Sequence, residues 1–159
     1  MFEKYGEMGS AAEINELAKN MLNEGDIDGI KVLAQENGID QYDCEDFLTE
    51  SADHLCSPLM AAIGKLDVES LDLKPTEIIK DWEDYIRFQC QDNPEMAAAV
   101  RKWGKSLRGC ITELLKWSFK NCYEVDKDIV KAAGAPSGTK MGIPGMKRAK
   151  QIIMDYYMS

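Results

Sequence analysis

Residues 105–121, KSLRGCITELLKWSFKN, decide the fold class of this chain. Their apolar side chains recur at intervals of three and four residues, which is the spacing of one face of an α-helix. The residues on this face are Leu107, Cys110, Ile111, Leu114, Leu115 and Ser118. The stretch therefore predicts an amphipathic helix with one side in a protein core.

Helical spacing also governs the first part of the chain. Ser10, with a glutamate three positions later, forms a capping box, and the helix that it starts can end at Gly25. Asp26 can cap a second helix, and Gly38 can end it. We expect these two helices to form a hairpin.

A third helix is predicted over residues 40–59, where Pro58 can end or kink it. Residues 65–74 are predicted as a loop or a short turn. Further helices are expected to start at helix-capping residues or prolines. Two of them precede the helix of residues 105–121 and two follow it. Their starting positions are Thr76, Asn93, Asp126 and Pro144.

The sequence therefore predicts an all-α, single-domain bundle over residues 1–159, with about six to eight helices. A short β-hairpin near residues 139–143 is the one place where strands are expected. The predicted core contains Leu17, Leu33, Phe47, Leu55, Trp82, Ile86, Leu107, Ile111 and Leu114.

Composition restricts the class of protein. With 159 residues, of which 45% are hydrophobic, the chain can bury a core without disulfides or a metal. It has no apolar run long enough for a membrane span, and its first ten residues lack the basic-then-apolar order of a signal peptide. We therefore expect a soluble, cytoplasmic protein without a membrane partner. The five cysteines include no CxxC pair, which favours reduced thiols in the core.

The net charge of −9 hides a steep asymmetry. Residues 1–95 carry 23 acidic and 7 basic side chains, a net charge of −16. Residues 96–159 carry 5 acidic and 12 basic side chains, a net charge of +7. The single domain is thus expected to have an acidic helical part and a basic helical part, with two oppositely charged surfaces.

Catalytic, metal and cofactor motifs are missing. The single histidine, His54, has no companion with the spacing of a metal site, no obvious nucleophile and no HExxH context. Asp26 and Asp28 superficially resemble a calcium loop, but Gly29 has the wrong offset and no glutamate follows at the closing position. No glycine-rich nucleotide-binding motif is present. We expect a protein that is not an enzyme and has neither a metal nor a cofactor.

Carboxylates are spaced for helical stripes in two places. One predicted stripe is formed by Asp43, Asp46, Glu50 and Asp53, and a second by Glu77, Asp81 and Asp84. Carboxylates one helical turn apart have a spacing similar to that of successive phosphates on a nucleic-acid strand. Such stripes favour a role as the surface that binds a cationic protein partner, although a solvated helix face would show the same spacing.

Basic residues cluster in the last third of the chain. The candidate nucleic-acid contacts are Arg101, Lys102, Lys105, Arg108, Lys116, Lys120, Lys140, Lys147, Arg148 and Lys150. Clusters of this kind bind phosphate backbones with little base specificity. Lys116 and Lys120 would also suit the dipole at the end of a helix. The three cations of residues 147–150 lie at the wrong end of their helix for that explanation, which favours an anionic partner.

Three segments of the chain resemble a known family. They are SPLMAAIGKLD at residues 57–67, GKSLRGCITELLKWSFKN at residues 104–121, and VDKDIVKAAG with MGIPGMKRAKQIIMDYYM at residues 125–134 and 141–158. These segments resemble the sequences of small acidic proteins carried by phages and mobile elements of gut Firmicutes. Some of them look like anti-CRISPR inhibitors of the type II RNA-guided nuclease. The resemblance implies a non-enzymatic antagonist that acts in the cytoplasm of a bacterial host cell.

The charge pattern and the resemblance lead to the same expectation. The protein is expected to inhibit a bacterial RNA-guided DNA nuclease by binding its ribonucleoprotein, with the acidic stripes in the cationic channel and the basic part on guide RNA or DNA. The alternative is a DNA-binding accessory or regulatory protein of a mobile element that uses its basic C-terminal helices alone. A third class is a small hydrolase or transferase. The charge split alone could also mean that the acidic and basic parts attract each other inside the fold.

Overall fold

The computed structural model describes all 159 residues, and its architecture is a helical bundle with one very small sheet. The nine helices are α1 (Ala11–Glu24), α2 (Ile27–Glu36), α3 (Gln41–Leu48), α4 (Pro58–Leu73), α5 (Glu77–Asp92), α6 (Pro94–Arg101), α7 (Leu107–Lys120), α8 (Lys127–Ala132) and α9 (Met146–Met158). Two strands, β1 (Tyr123–Glu124) and β2 (Lys140–Met141), pair antiparallel. The predicted all-α class is confirmed, with one helix more than the expected range.

Local capping residues start the helices where the sequence predicts them. The Ser10 hydroxyl accepts the Glu13 backbone N–H at the start of α1, and the Asp26 carboxylate accepts the Gly29 N–H at the start of α2. Asn93 does the same for the first turn of α6. Each of these side chains satisfies a backbone donor that has no partner within its helix.

The predicted third helix is wrong in its length. Helix α3 ends at Leu48, and Glu50 adopts a left-handed conformation with φ of 60°. Ser57 then caps a new helix, α4, in which Pro58 is the first residue. Because proline fixes φ and lacks an N–H, it suits this first position better than a helix interior.

The predicted loop over residues 65–74 is also wrong, since α4 continues to Leu73. Lys65 and Glu69 interrupt the apolar pattern of this helix, yet both side chains are buried. Their charges are bonded inside the protein, so the helix can bury a face that is partly polar. The sequence pattern alone gives this segment the appearance of a solvated loop.

One strand of the sheet, β2, lies at the predicted place, but its partner β1 lies earlier in the chain, before α8. Strand β2 pairs with β1, so that Glu124 lies opposite Lys140 and α8 lies in the connection between them. The Tyr123 hydroxyl donates to the Ile143 carbonyl oxygen at 2.7 Å. These contacts hold the glycine-rich segment of residues 134–145 against the end of α7.

The hydrophobic interior consists of two clusters. One is built by α1, α2, α3 and the start of α4, and includes the predicted core residues Leu33, Phe47 and Leu55. The other is built by α4 to α7 and α9, and includes the predicted Trp82, Ile86, Leu107 and Leu114. The remaining predicted core residues, Leu17 and Ile111, are only partly buried and pack on the edges of these clusters.

Helix α4 belongs to both clusters and connects them. Ala61 packs in the first cluster, and its neighbour Ala62 packs in the second. Gly38, with φ of 66°, lies so close to Gly64 that a Cβ on either glycine would overlap the backbone of the other segment. The close approach of α2 to α4 therefore requires glycine at both positions.

Candidate partner-binding surfaces

Helices α1 to α3 and the following loop form a region of unpaired negative charge. Residues 10–57, called here the acidic unit, contain twelve carboxylates and two lysines, a net charge of −10 with the histidine neutral. None of these carboxylates lies within 4.0 Å of a lysine or arginine nitrogen, because every ion pair of the protein lies outside residues 10–57. The negative electrostatic potential of the acidic unit is therefore not neutralised by ion pairs within the protein.

Some carboxylates of the acidic unit form hydrogen bonds within the fold and others form none. Asp26 and Asp40 cap helices, Glu13 and Glu36 accept backbone N–H groups, and Glu45 accepts from a glutamine side chain. The other seven form no hydrogen bond through their side chains: Glu16, Glu24, Asp28, Asp43, Asp46, Glu50 and Asp53. The four carboxylates of the first predicted stripe are all in this second group.

The geometry predicted for that stripe is wrong. Asp43 and Asp46 lie on α3, but Glu50 and Asp53 follow its end and are not helical. The chain folds back after Leu48, and Asp43, Asp46 and Asp53 line one shallow cleft of about 340 Å³. These three carboxylates therefore share a cleft rather than a helix face.

The second predicted stripe does lie on one helix, α5. Glu77 and Asp81 are exposed and have no cationic partner, whereas Asp84 forms an ion pair with Lys80 at 3.0 Å. Glu83, which the sequence did not single out, is fully buried on the same helix. It accepts from Ser70, Lys80 and Arg87 at 2.6 to 3.1 Å. Helix α5 thus separates a bonded carboxylate inside from free carboxylates outside.

Arg101 requires a correction, because it is 1% exposed and cannot serve as a nucleic-acid contact. Its guanidinium donates to the backbone oxygens of Met8 and Ala61 and to the side-chain oxygen of Asn37. Burial lowers the pKa of this guanidinium from its ordinary value, with nearby acidic groups opposing the effect. Arg101 joins the two hydrophobic clusters instead of facing a ligand.

Lys65 forms a second buried anchor. Its Nζ donates to Glu7 at 2.5 Å and to the Lys105 backbone oxygen at 2.6 Å, and lies 4.0 Å from Glu69. Glu69 accepts the Leu107 backbone N–H at the start of α7. Burial raises the pKa of the Glu69 carboxyl, although Lys65 opposes this shift. The i, i+4 spacing of Lys65 and Glu69 was a signal for this helix that the sequence interpretation missed.

Three of the other predicted basic contacts are engaged within the chain. The Lys105 ammonium donates to the Tyr156 carbonyl oxygen and the Ser159 hydroxyl, so it holds the end of α9. Arg108 pairs with Asp72, and Lys116 pairs with Glu113, each at 2.7 Å. Both ion pairs are exposed, and exposed pairs open readily in favour of a partner.

The remaining basic side chains are exposed and lie more than 4.0 Å from any carboxylate. They are Lys102, Lys120, Lys140, Lys147, Arg148 and Lys150. Three of them occupy the first turn or so of α9, where the helix dipole disfavours cations. Lys150 lies over the ring of Tyr85, with its Nζ 5.2 Å from the ring centre.

The two charged parts of the chain are joined by one ion pair, Arg108 with Asp72. The interpretation that the acidic and basic parts serve mainly to attract each other would require a dense set of such pairs across their boundary. Instead, the buried cation of the basic part, Arg101, binds neutral oxygens. Most of the charge asymmetry is therefore available at the surface.

An apolar groove between α5 and α7 was not predicted. It measures about 400 Å³ and is lined mostly by aliphatic and aromatic side chains: Ile78, Ile79, Trp82, Ile111, Leu115, Phe119, Cys122 and Ile143. Phe119 is 79% exposed and Leu115 is 55% exposed, although Leu115 has the helical spacing of a core residue. The apolar face of α7 is wider than the part of it that the core covers. In the sequence, this extra width is the one sign of the groove.

The cysteines form no disulfide, and the possible metal ligands form no cluster. All five cysteines are free; Cys122 is exposed and the others are buried. Burial raises the pKa of Cys56 and Cys90 to about 11 and that of Cys110 to about 12, so these thiols stay protonated at neutral pH. No three histidine, cysteine, aspartate or glutamate side chains of the chain are grouped as a metal would need. None of the nine helices combines the length and the apolar character needed to cross a membrane.

Comparison with protein-family models, with curated proteins and with solved structures finds no match for this chain.

Proposed function

We propose that this protein is a non-enzymatic inhibitor of a bacterial RNA-guided DNA nuclease, which it blocks by binding the effector ribonucleoprotein. The observation that carries the proposal is the acidic unit, in which twelve carboxylates and two lysines form no ion pair. Retaining this much uncompensated charge is unfavourable for the isolated protein because the carboxylates repel one another. A cationic partner would relieve this repulsion.

RNA-guided nucleases offer such a partner. They hold the heteroduplex of guide and target in a positively charged channel that recognises the backbone rather than the sequence. Asp43, Asp46 and Asp53, which share one cleft, would replace phosphates in that channel, and Glu50 would extend the contact. The family resemblance of the chain supports this class of partner over other cationic proteins.

The expected mechanism is electrostatic competition. Complementary charge mainly accelerates association and is screened by salt, so inhibition should weaken as ionic strength rises. The exposed cations of α9 would remain free to contact guide RNA or DNA beside the channel. This part of the mechanism is secondary, since the cations are fewer than the carboxylates of the acidic unit.

A cleavage assay with purified effector, guide RNA and target DNA tests the proposal. The protein is added before or after guide loading, and before or after target binding. We expect inhibition when it is added before target DNA and little inhibition afterwards, because the target strand then occupies the channel. Full cleavage in every order of addition would contradict the proposal.

Two variants with equal net charge locate the interaction. The first replaces Asp43, Asp46, Glu50 and Asp53 by the corresponding amides, and its association rate with the effector should fall by about tenfold or more at low salt. The matched control makes the same change at four exposed acids outside the acidic unit: Asp92, Glu124, Asp128 and Asp155. The control should bind almost as the wild type does. Equal losses in both variants would show that only net charge matters.

The alternative is a DNA-binding accessory protein, favoured by Lys147, Arg148 and Lys150, which occupy an unfavourable helix end without acidic partners. It predicts binding to naked DNA in the absence of any nuclease. Replacing these three residues by glutamine should then reduce the slope of log affinity against log salt by about 0.7 to 0.9 for each lost phosphate contact. The absence of a gel shift at low salt would exclude this alternative.

A further inference from the structure

Residues 1–9, called here the strap, contain no helix or strand and contact residues of both halves of the bundle. No backbone group of the strap bonds to another backbone group. Met8 is its one buried side chain, and it packs in the first hydrophobic cluster. The strap is therefore held mainly by side chains of the helices that it crosses.

Two carboxylates hold the backbone of the strap. The Glu36 carboxylate, at the end of α2, accepts the N–H groups of Lys4 and Tyr5 at 2.6 and 3.2 Å. The Glu13 carboxylate, on α1, accepts the Gly9 N–H at 2.7 Å. Hydrogen bonds to an ionised acceptor are stronger than those between neutral groups. These two carboxylates therefore fix the strap on the acidic unit near both of its ends.

Between these ends, the strap contacts the two buried cations that join the clusters. The Glu7 carboxylate, which is 31% exposed, accepts from Lys65 Nζ at 2.5 Å, and the Lys65 side chain itself has no exposed surface. The Met8 carbonyl oxygen accepts from Arg101 Nε at 2.9 Å. Glu7 therefore lies between the Lys65 ammonium and the solvent.

Neither cation would lose its last partner if the strap moved away. Lys65 would still donate to the Lys105 carbonyl oxygen. Arg101 would still donate to the Ala61 carbonyl oxygen and to the Asn37 side chain. A segment whose departure leaves no buried charge without a partner can open while the rest of the fold persists.

We propose that the strap is a latch with a docked and a released state, and that its release uncovers Lys65 while the helices stay folded. In the docked state, Glu7 is the internal counter-ion of Lys65. In the released state, the Lys65 ammonium is open to anions and reagents from the solvent. The proposal does not depend on the inhibitor function, because it concerns only the strap and its contacts.

Amide hydrogen exchange, followed by NMR, measures whether the strap opens as one unit. In the wild type, the amides of Lys4, Tyr5 and Gly9 should share one protection factor. This value should be smaller than that of the buried amides of α4, because the latch opens without unfolding of the helices.

Glu36→Ala tests the coupling within the strap. It removes the acceptor of Lys4 and Tyr5 but leaves Glu13, the acceptor of Gly9, in place. If the strap moves as a unit, the Gly9 amide should also exchange about tenfold faster, since the docked state loses charge-assisted hydrogen bonds. Glu3→Ala is the matched control, because the Glu3 side chain is 87% exposed. It should change the Gly9 rate by less than about twofold.

Acetylation with an amine-reactive reagent, followed by mass spectrometry, measures the exposure of Lys65. Labelling of Lys65 should be slow in the wild type and should accelerate in Glu36→Ala by the same factor as exchange of the Gly9 amide. Lys65 does not contact Glu36, so only release of the strap connects the two. Lys102 is exposed and serves as the internal reference, with the same labelling rate in every variant.

Several outcomes would overturn the proposal. An unchanged Gly9 rate in Glu36→Ala would show that the contacts of the strap open independently. Protection of the strap equal to that of the α4 amides would show that it opens only with the whole fold. If Gly9 exchanges faster while Lys65 labelling stays the same, the strap does not cover Lys65 and the latch is rejected. Circular dichroism of each variant checks that the helices are retained.

Discussion

The acidic unit and helices α4 to α7 use charge in opposite ways. In α4 to α7, buried Lys65, Glu83 and Arg101 are each held by several polar partners. In the acidic unit no side chain forms an ion pair, and seven carboxylates form no hydrogen bond. The buried charges of α4 to α7 form bonds that stabilise the fold, whereas the seven carboxylates of the acidic unit form none. These seven carboxylates support an interaction role, because folding alone does not explain why so many acidic side chains lie in this unit.

The largest expected effect tests the junction of the two regions. Arg101→Met should lower the free energy of unfolding by about 3 to 5 kcal/mol, because it leaves the oxygens of Met8, Ala61 and Asn37 without donors. Urea denaturation measures the loss. Lys102→Met is the control, since Lys102 is exposed, and it should change stability by less than about 0.5 kcal/mol. A small loss for Arg101→Met would show that the clusters hold together without this side chain.

The next prediction compares one helical carboxylate from each region. Glu83→Ala should destabilise the protein by about 2 to 4 kcal/mol, because Ser70, Lys80 and Arg87 lose the buried acceptor that they share. Asp46→Ala on α3 should change stability by less than about 0.5 kcal/mol, since the Asp46 carboxylate has no partner. Thermal and urea unfolding of the two variants measure the contrast. Equal destabilisation would remove the distinction between the two regions.

A smaller effect should be the same in both regions. Glu50, after α3, and Lys74, at the end of α4, both have positive φ, which is unfavourable for residues with a side chain. Glu50→Gly and Lys74→Gly should each raise the free energy of unfolding by about 0.5 to 1 kcal/mol, the gain at the left-handed position exceeding the entropy that glycine loses. As a reverse control, Gly25→Ala, at φ of 75° with open space around it, should lose about 1 kcal/mol.

The smallest effect concerns the pH dependence of stability. Burial raises the pKa of Glu69, so the folded state binds more protons than the unfolded state between the ordinary value of 4.5 and the raised pKa. The contribution of Glu69 to the free energy of unfolding therefore falls as pH rises through this window. Glu69→Gln keeps an acceptor for Leu107 and removes this titration.

Unfolding of the two proteins across that pH range provides the measurement. Relative to the wild type, Glu69→Gln should gain stability as pH rises. All other ionisable groups are common to the two proteins, so their contribution cancels in the difference. A difference that is constant with pH would show that Glu69 titrates alike in the folded and unfolded states.

Sequence reasoning succeeded where the structural cause is local. Ser10, Asp26 and Asn93 cap helices because their side chains reach backbone donors two or three residues away, and such contacts depend only on nearby sequence. It failed at Lys65 and Glu69, whose burial depends on Glu7 and on the backbone of residues 105–107. No local pattern can indicate partners that lie so far along the chain.

The candidate surfaces were predictable in composition but not in shape. The excess of acids over bases in residues 1–95 already implied unpaired carboxylates. The shared cleft of Asp43, Asp46 and Asp53 depends on the reversal of the chain at Glu50, which adopts a conformation that glutamate rarely favours. The burial of Arg101 was equally hidden, because its partners are mainly backbone oxygens, which every residue supplies.

The seven carboxylates of the acidic unit without hydrogen bonds have a consequence for how this protein can change over generations. A substitution at any of them removes no internal hydrogen bond or ion pair, so these positions are only weakly constrained by folding. The buried anchors at Lys65, Glu83 and Arg101 have no such freedom. A lineage of this protein could therefore alter the pattern of its acidic unit step by step, following changes in a partner, while the same helical scaffold persists beneath it.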